Sequence, residues 1–186
     1  MKVFRVRDFR GHSRFLLARE ISEFYDDQVK KLKSVLPRFT GRSHIQVAGT
    51  VLIQLFNPDR ELTDVRMGFN LVVDAGKAAV IDRLQAGAVA VHDYQAIGTG
   101  TAAAAAGDTT LVTEIGARVQ GVLTQPTALT DRLVSTFAAG NGTGAITETG
   151  RFNAAAAGNL FARQVFAAVN KTASDSLQIT HDITVS

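Results

Sequence analysis

The 186-residue chain has no cysteine and no tryptophan, only three prolines and two tyrosines, and 7% aromatic residues. Each scarcity excludes something. Without cysteine there is no disulfide framework, thiolate zinc site, iron–sulfur cluster or thiol nucleophile. The redox compartment stays open, because a cysteine-free chain folds in either environment. Scarce Trp and Tyr leave little flat apolar surface for a carbohydrate-processing groove. Uninterrupted apolar runs are a few residues long, far below the roughly 20 that a membrane-spanning helix needs. The start, residues 1–8, alternates charged and apolar side chains and has no apolar block of a signal peptide.

What is present is ordinary in bulk and uneven in detail. Hydrophobic residues make up 46% and charged residues 20%, the composition of one globular domain with or without an appendage. The formal charge of +3 is split: residues 1–66 carry 13 Lys and Arg against 8 Asp and Glu, and residues 67–186 carry 7 against 9. The basic excess is densest at the start, where Lys2, Arg5, Arg7, Arg10 and Arg14 face a single acid, Asp8. Such an arm binds a phosphate backbone, docks on an acidic protein surface, or stays solvated. All three readings stay open, since no nucleic-acid motif surrounds it.

Periodicity then divides the chain. Residues 2–9 read as a short strand with two mixed faces. From 14 to 36, Leu17, Ile21, Phe24, Tyr25, Leu32, Val35 and Leu36 recur on one helical stripe, and Pro37 stops the pattern. Acids lie towards the start of this helix and lysines towards its end, as the macrodipole favours. After Pro37 the period becomes two. Strands are expected at 44–56, with Gly49 as a bulge or bend, and at 65–73. A short helix follows Asp74, with Val80, Ile81 and Leu84 as its buried stripe. Further strands are expected at 91–97, 115–124, 129–137, 145–152, 160–169 and 177–185. In the strand at 129–137, Asp131 and Ser135 interrupt the apolar parity of Leu129, Leu133 and Phe137. Short strands at this spacing predict a mainly β fold, an antiparallel β-sandwich of about eight strands with one N-terminal amphipathic helix and one short internal helix. The division expected is 1–40, basic arm and helix, and 41–186, sandwich.

The chain offers little that reads as chemistry. His12, His44, His92 and His181 lack the spacing of a metal motif, and His181, on the apolar face of the last strand, reads as a core residue. No serine sits in a G-x-S-x-G turn. Residues 98–103, GTGTAA, match the skeleton of a dinucleotide loop, but the Ala run breaks at Gly107 and no crossover helix follows. The GNGTG of 140–144 lacks the Lys-Ser/Thr of a P-loop. Glu114, Asp131 and Glu148 fall on or beside separate strands, where only folding could unite them as paired acids. The expectation is a protein that is not an enzyme, with no cofactor, no metal, no small-molecule substrate and no membrane contact.

Three stretches carry a resemblance: AIGTGT at 96–101, FAAGNGTGAITETGRFN at 137–153 and NKTASDSL at 170–177. Together they resemble a group of short virion proteins of tailed bacteriophages, described as tail, tail-fibre or minor structural proteins, over roughly residues 70–185. The resemblance implies a structural subunit made in the host bacterial cytoplasm and built into the virion in many copies, at a neck, tail, baseplate or capsid-decorating position. Its partners would be other copies of itself and other virion proteins, with packaged DNA a further contact for the basic arm. The assembly residues expected are Lys2, Arg5, Arg7, Arg10 and Arg14 on the arm and Phe24, Tyr25, Leu32 and Leu36 on the helix. The alternative is a host-surface or glycan-binding module of a tail fibre, using the loops at 98–108 and 140–144.

Overall fold

The computed structural model describes residues 3–7, 13–35 and 45–186. The elements are β1 (Val3–Arg7), β2 (Ser13–Leu17), a 3-10 turn (Ala18–Glu20), α1 (Ile21–Val35), β3 (Val47–Phe56), β4 (Leu62–Val72), α2 (Asp74–Leu84), β5 (Tyr94–Gly98), β6 (Glu114–Gln120), β7 (Val122–Thr127), β8 (Thr130–Phe137), β9 (Gly144–Phe152), β10 (Leu160–Lys171) and β11 (Ser176–Val185). The protein is mainly β. Nine strands form one antiparallel sheet in the order β6-β5-β9-β10-β4-β3-β11-β8-β7, curled into a half-barrel, and β1 pairs with β2 in a small second sheet.

This corrects the expectation of a two-sheet sandwich. The wing built on β3 and β11 and the wing built on β9 and β10 do face each other across a shared core: Val51, Ile53, Leu55, Phe137, Leu177 and Ile179 pack against Ile97, Ile146 and Val169. They remain one sheet because β4 and β10 pair, through two registered positions, Ala162 with Val72 and Arg163 with Leu71. At the far side the two edges are joined covalently. β6 and β7 end the strand order at opposite edges, yet only Gly121 separates them in the chain. The strand expected at 115–124 is therefore one extended run that bends and changes partners, as corner strands do. A Cβ on Gly121 would sit 2.3 Å from Ser135 Oγ and 2.6 Å from Val134 O, so only glycine lets the bend lie this close to β8.

The N-terminal region packs on the outer face of the same sheet. The helix expected from residue 14 begins at Ile21, and residues 13–17 form β2, the strand that pairs with β1. Phe4 and Val6 of β1, with Ile21, Phe24 and Tyr25 of α1, are buried against Leu52, Leu62 and Val65. Packing thus crosses the boundary expected at residue 40. Because β3 is covered on both faces, its central residues read as an almost continuous buried run.

The internal helix also differs from its expected orientation. Its buried residues are Gly76 and Ala79, whereas Ile81 and Leu84 are 54% and 71% exposed. The reason is closeness: a Cβ at position 76 would lie 2.1 Å from the Phe161 carbonyl oxygen, so the small-residue side of α2 lies on β10. Of the expected stripe, Val80 is half-buried, and Ile81 and Leu84 lie off the packed face.

Candidate interaction surface

The turn motifs of the sequence converge on one buried carboxylate. Glu148 of β9 has no solvent exposure, and its oxygens accept hydrogen bonds from the backbone N–H of Thr113 at 2.7 Å, Gly100 at 3.0 Å and Val112 at 3.1 Å. Arg163 of β10, equally buried, donates to Glu148 at 2.8 and 2.9 Å. It also bonds Asp108 at 2.8 Å and the carbonyl of Ala102 at 2.9 Å. The loop between β5 and β6 is thereby pinned over the outer face of its wing, where Leu111 closes a cluster with Val73, Ala96, Phe152 and Leu160. Gly98 and Gly100 are required by proximity, since a Cβ on either would come within 2.6 Å of a Glu148 oxygen. Burial pushes the Glu148 carboxyl up, but the N–H groups of Thr113 and Val112, the Arg163 guanidinium and the Gly100 N–H outweigh it and hold the group below the usual carboxylate range. Asp108 is held low by the same balance, with burial opposed by the Ala105 N–H and Arg163.

That geometry answers the motif readings. The N–H of Gly100 in the GTGTAA stretch is bound to an internal carboxylate, and no helix opens after β5, so the loop is not built as a pyrophosphate cradle. In the GNGTG turn, Asn141 accepts from the Ala117 N–H at 2.8 Å and donates to its carbonyl at 3.0 Å, tying that loop to β6. The three candidate acids enter separate ion pairs: Glu114 with Arg118 at 2.7 Å, Asp131 with Arg151 at 2.5 Å, and Glu148 with Arg163. His181 is fully buried in the core beside Asn70. Burial, reinforced by Arg151, keeps its imidazole well below its ordinary value. His92 packs edge-on against Phe161 with ring centroids 5.0 Å apart. Burial first, then Arg151 and Arg83, lower its value to about 4.

Of the expected assembly residues, Lys2, Arg10 and Leu36 lie outside the described residues, as do His12 and His44. Arg7 closes β1 and Leu32 lies on α1. Arg5 and Arg14 are exposed, and the Arg14 guanidinium lies 5.7 Å from the centre of the Phe24 ring. Phe24 and Tyr25 do not face outward: both are buried on the protein's own sheet, and the Tyr25 hydroxyl meets Thr50 Oγ1 at 2.9 Å. Beside it, Arg132 of β8 joins Asp26 of α1 to buried Asp182 of β11, each at 2.7 Å. Of the expected stripe, Ile21, Phe24 and Tyr25 are buried, and the cover that amphipathic spacing could not name is the protein's own sheet.

The surface that sequence reasoning missed lies on the other side. A groove of about 760 Å³ runs between α2 and the β7–β8 hairpin, walled by Val80, Leu84, Leu123, Leu129, Ile183 and Val185. Every residue of β7 is exposed, Val122 at 68%, and no charged residue occurs from Gly121 to Thr130. Arg83 and Asp131 are the charged groups lining the groove. A signal was there to read: Gly76 and Ala79 stand three residues apart, the spacing of one close-packed helix face, and Ile81 falls on the side opposite them. Comparison with models of protein families, with curated proteins and with solved structures finds no match for this chain.

Proposed function

We propose that the chain is a structural component of a tailed-phage virion, assembled in many copies through its own surface. The observation that carries this reading is an exposed apolar surface: the uncharged edge strand β7 together with Leu84 and Ile81 of α2. An exposed edge strand offers unpaired backbone groups, and soluble monomers blunt such edges with charge or proline; β7 has no charge, and its one proline, Pro126, stands near its end. Here the edge carries Val122, Leu123 and Leu129 and continues into Leu84 and Ile81, the kind of patch that marks a protein contact. The resemblance to phage virion proteins supports the reading independently, and its motif residues Gly98, Gly100 and Glu148 act here as fold-determining parts rather than as a site. The glycan-binding alternative would use the loops at 98–108 and 140–144, where the Gly100 N–H, the Ala102 carbonyl and the Asn141 amide are already bonded to the protein itself. The groove therefore favours assembly over sugar recognition. The neck, tail, baseplate and capsid-surface positions each predict a different copy number.

The test images intact particles of a phage encoding the chain, alongside particles carrying Leu84→Asp and Leu129→Asp together. Both side chains are exposed, so the variant is expected to fold with an unchanged circular dichroism spectrum and thermal midpoint. Wild-type particles are expected to show a symmetric set of copies, and variant particles to lose them. Particles without the chain, or full incorporation of the variant, would overturn the reading.

A further inference from the structure

The inward face of the curled sheet is divided. One part is the apolar core of Val51, Ile53, Leu55, Phe137, Leu177 and Ile179. The other carries polar side chains whose terminal atoms are buried without a hydrogen-bond partner among the described residues: Asn70 Oδ1, His92 Nε2, Gln95 Oε1, Arg151 Nη1, Gln164 Oε1 and His181 Nδ1. Strand register links these groups around the half-barrel. His181 is paired across the ladder with Val51, and Val51 with Gly68. The Gln164 side chain lies over Gly68, where a Cβ would meet Gln164 Nε2 at 2.1 Å. Gln164 is registered with Thr149, to which Gln95 donates at 2.6 Å. Gln95 is registered with Arg151, whose Nε donates to the His92 carbonyl at 2.6 Å and whose Nη2 bonds Asp131. Asp131 is registered with Ile183, two residues from His181 on the same face. The circuit closes. Gly49, expected as a bulge or bend, keeps its register and makes room for the Asn70 side chain, which reaches His181.

We propose that this belt is an internal water site: a chain of ordered water molecules threads the polar part of the half-barrel and bonds to these six side chains. The donor and acceptor inventory selects water over an ion. Arg151 Nη1 can only donate. Gln95 can only accept at its free end, because Thr149 Oγ1 gives its proton to the Ala96 carbonyl at 2.7 Å and must receive from Gln95 Nε2. Asn70 and His181 leave one donor and one acceptor unmatched whichever way the amide is turned and whichever ring nitrogen carries the proton. A bound anion needs donors on every side and a bound cation needs acceptors, whereas water supplies both. An unmet buried polar group costs about 1–3 kcal/mol, so six of them together call for a common partner. A chain of this length holds about seven buried waters at the usual density, each making about three hydrogen bonds. The belt reaches the surface at Asp131, whose side chain is 52% exposed in the groove beside Phe161 while it bonds Arg151. The inference stands or falls independently of the virion reading.

The test is a crystal structure of the full chain at a resolution that shows ordered solvent, paired with water-to-protein magnetisation transfer in solution NMR. Density peaks are expected at hydrogen-bond distance from Arg151 Nη1, Gln95 Oε1 and His181 Nδ1, with transfer to the Gln95 and Asn70 amide protons. A second structure, of Gln164→Met, is expected to lose the water at that position and to keep those at Arg151 and Gln95. A belt whose side chains pair directly with one another would overturn the proposal. So would interior density refining as an adventitious ion only, or an absence of magnetisation transfer to the inward amides.

Discussion

Glu148 and Arg163 stand 2.8 Å apart with no solvent exposure on either side chain, and between them they hold the fifteen residues that run from β5 to β6. The pair is an ionic rivet inside a β fold. Removing one member leaves the other charged and buried, which costs about 3–5 kcal/mol, while replacing both with apolar groups is far milder. Arg163→Met is therefore expected to lower stability by that amount in urea unfolding. It should also free the 99–113 loop to cleavage under limited proteolysis, since Asp108 and the Ala102 carbonyl lose their donor with it. Glu148→Leu combined with Arg163→Met should recover part of the loss. A loop that stays resistant in the single variant would show that Leu111 packing alone retains it.

Acid should destabilise the protein before its carboxylates titrate. His92 is held down to about 4 by burial, with Arg151 and Arg83 adding to the effect and Asp93 and Asp131 opposing it. The unfolded chain titrates the same group near 6.5. Between those values the unfolded state binds more protons, so the contribution of His92 is complete above about pH 6.5 and is lost as pH falls towards 4, on the order of 3 kcal/mol. His181 adds a loss of the same sign. Asp182 works the other way in the acid range, because burial raises it despite Arg132. Urea midpoints measured across this window should slope downward with acid, and His92→Phe should flatten the slope. An unchanged slope in that variant would remove His92 from the account.

The seat of α1 on the sheet should divide unequally between its two polar contacts. Tyr25→Phe deletes the hydroxyl that meets Thr50 at 2.9 Å and keeps the buried ring, a loss of about 1 kcal/mol. Arg132→Met leaves Asp182, with a side chain 1% exposed, without its cation, and is expected to cost about 3 kcal/mol. Hydrogen exchange should show α1 amides opening sooner in Arg132→Met than in Tyr25→Phe. Equal exchange in the two would place the seat of the helix in its apolar contacts with Leu52 and Val65.

Strand existence was legible because apolar and polar side chains alternate with period two, most cleanly in β11, although Thr180, Asp182 and Thr184 on its other face are buried as well. What alternation does not report is the cover itself. The outer-facing residues of β3 look like those of any buried strand, yet their cover is β1 and α1 from the same chain. The exposed stripe of α2 was misread for a related reason: Val80, Ile81 and Leu84 have the spacing of a packed face, but the closeness of Gly76 to Phe161 decides which side touches the sheet. The buried acid–base pairs left no sequence mark, because Glu148 and Arg163 are 15 residues apart, and Arg132 and Asp182 50, and they meet only when their strands pair.

By itself the sequence determined the absence of thiol chemistry, the change from a helical to an alternating pattern after Pro37, and the turns rich in Gly, Thr and Asn. These are local properties, set by side-chain chemistry and backbone preference over a few residues. Tertiary structure decided that one sheet forms in place of two, that its edges join through Gly121, and that Asp131 and Ser135 interrupt the parity of β8 because Asp131 reaches the groove to pair with Arg151 and Ser135 lies against Gly121. Those outcomes depend on which strands become neighbours, and that pairing is chosen by the packing of the whole chain.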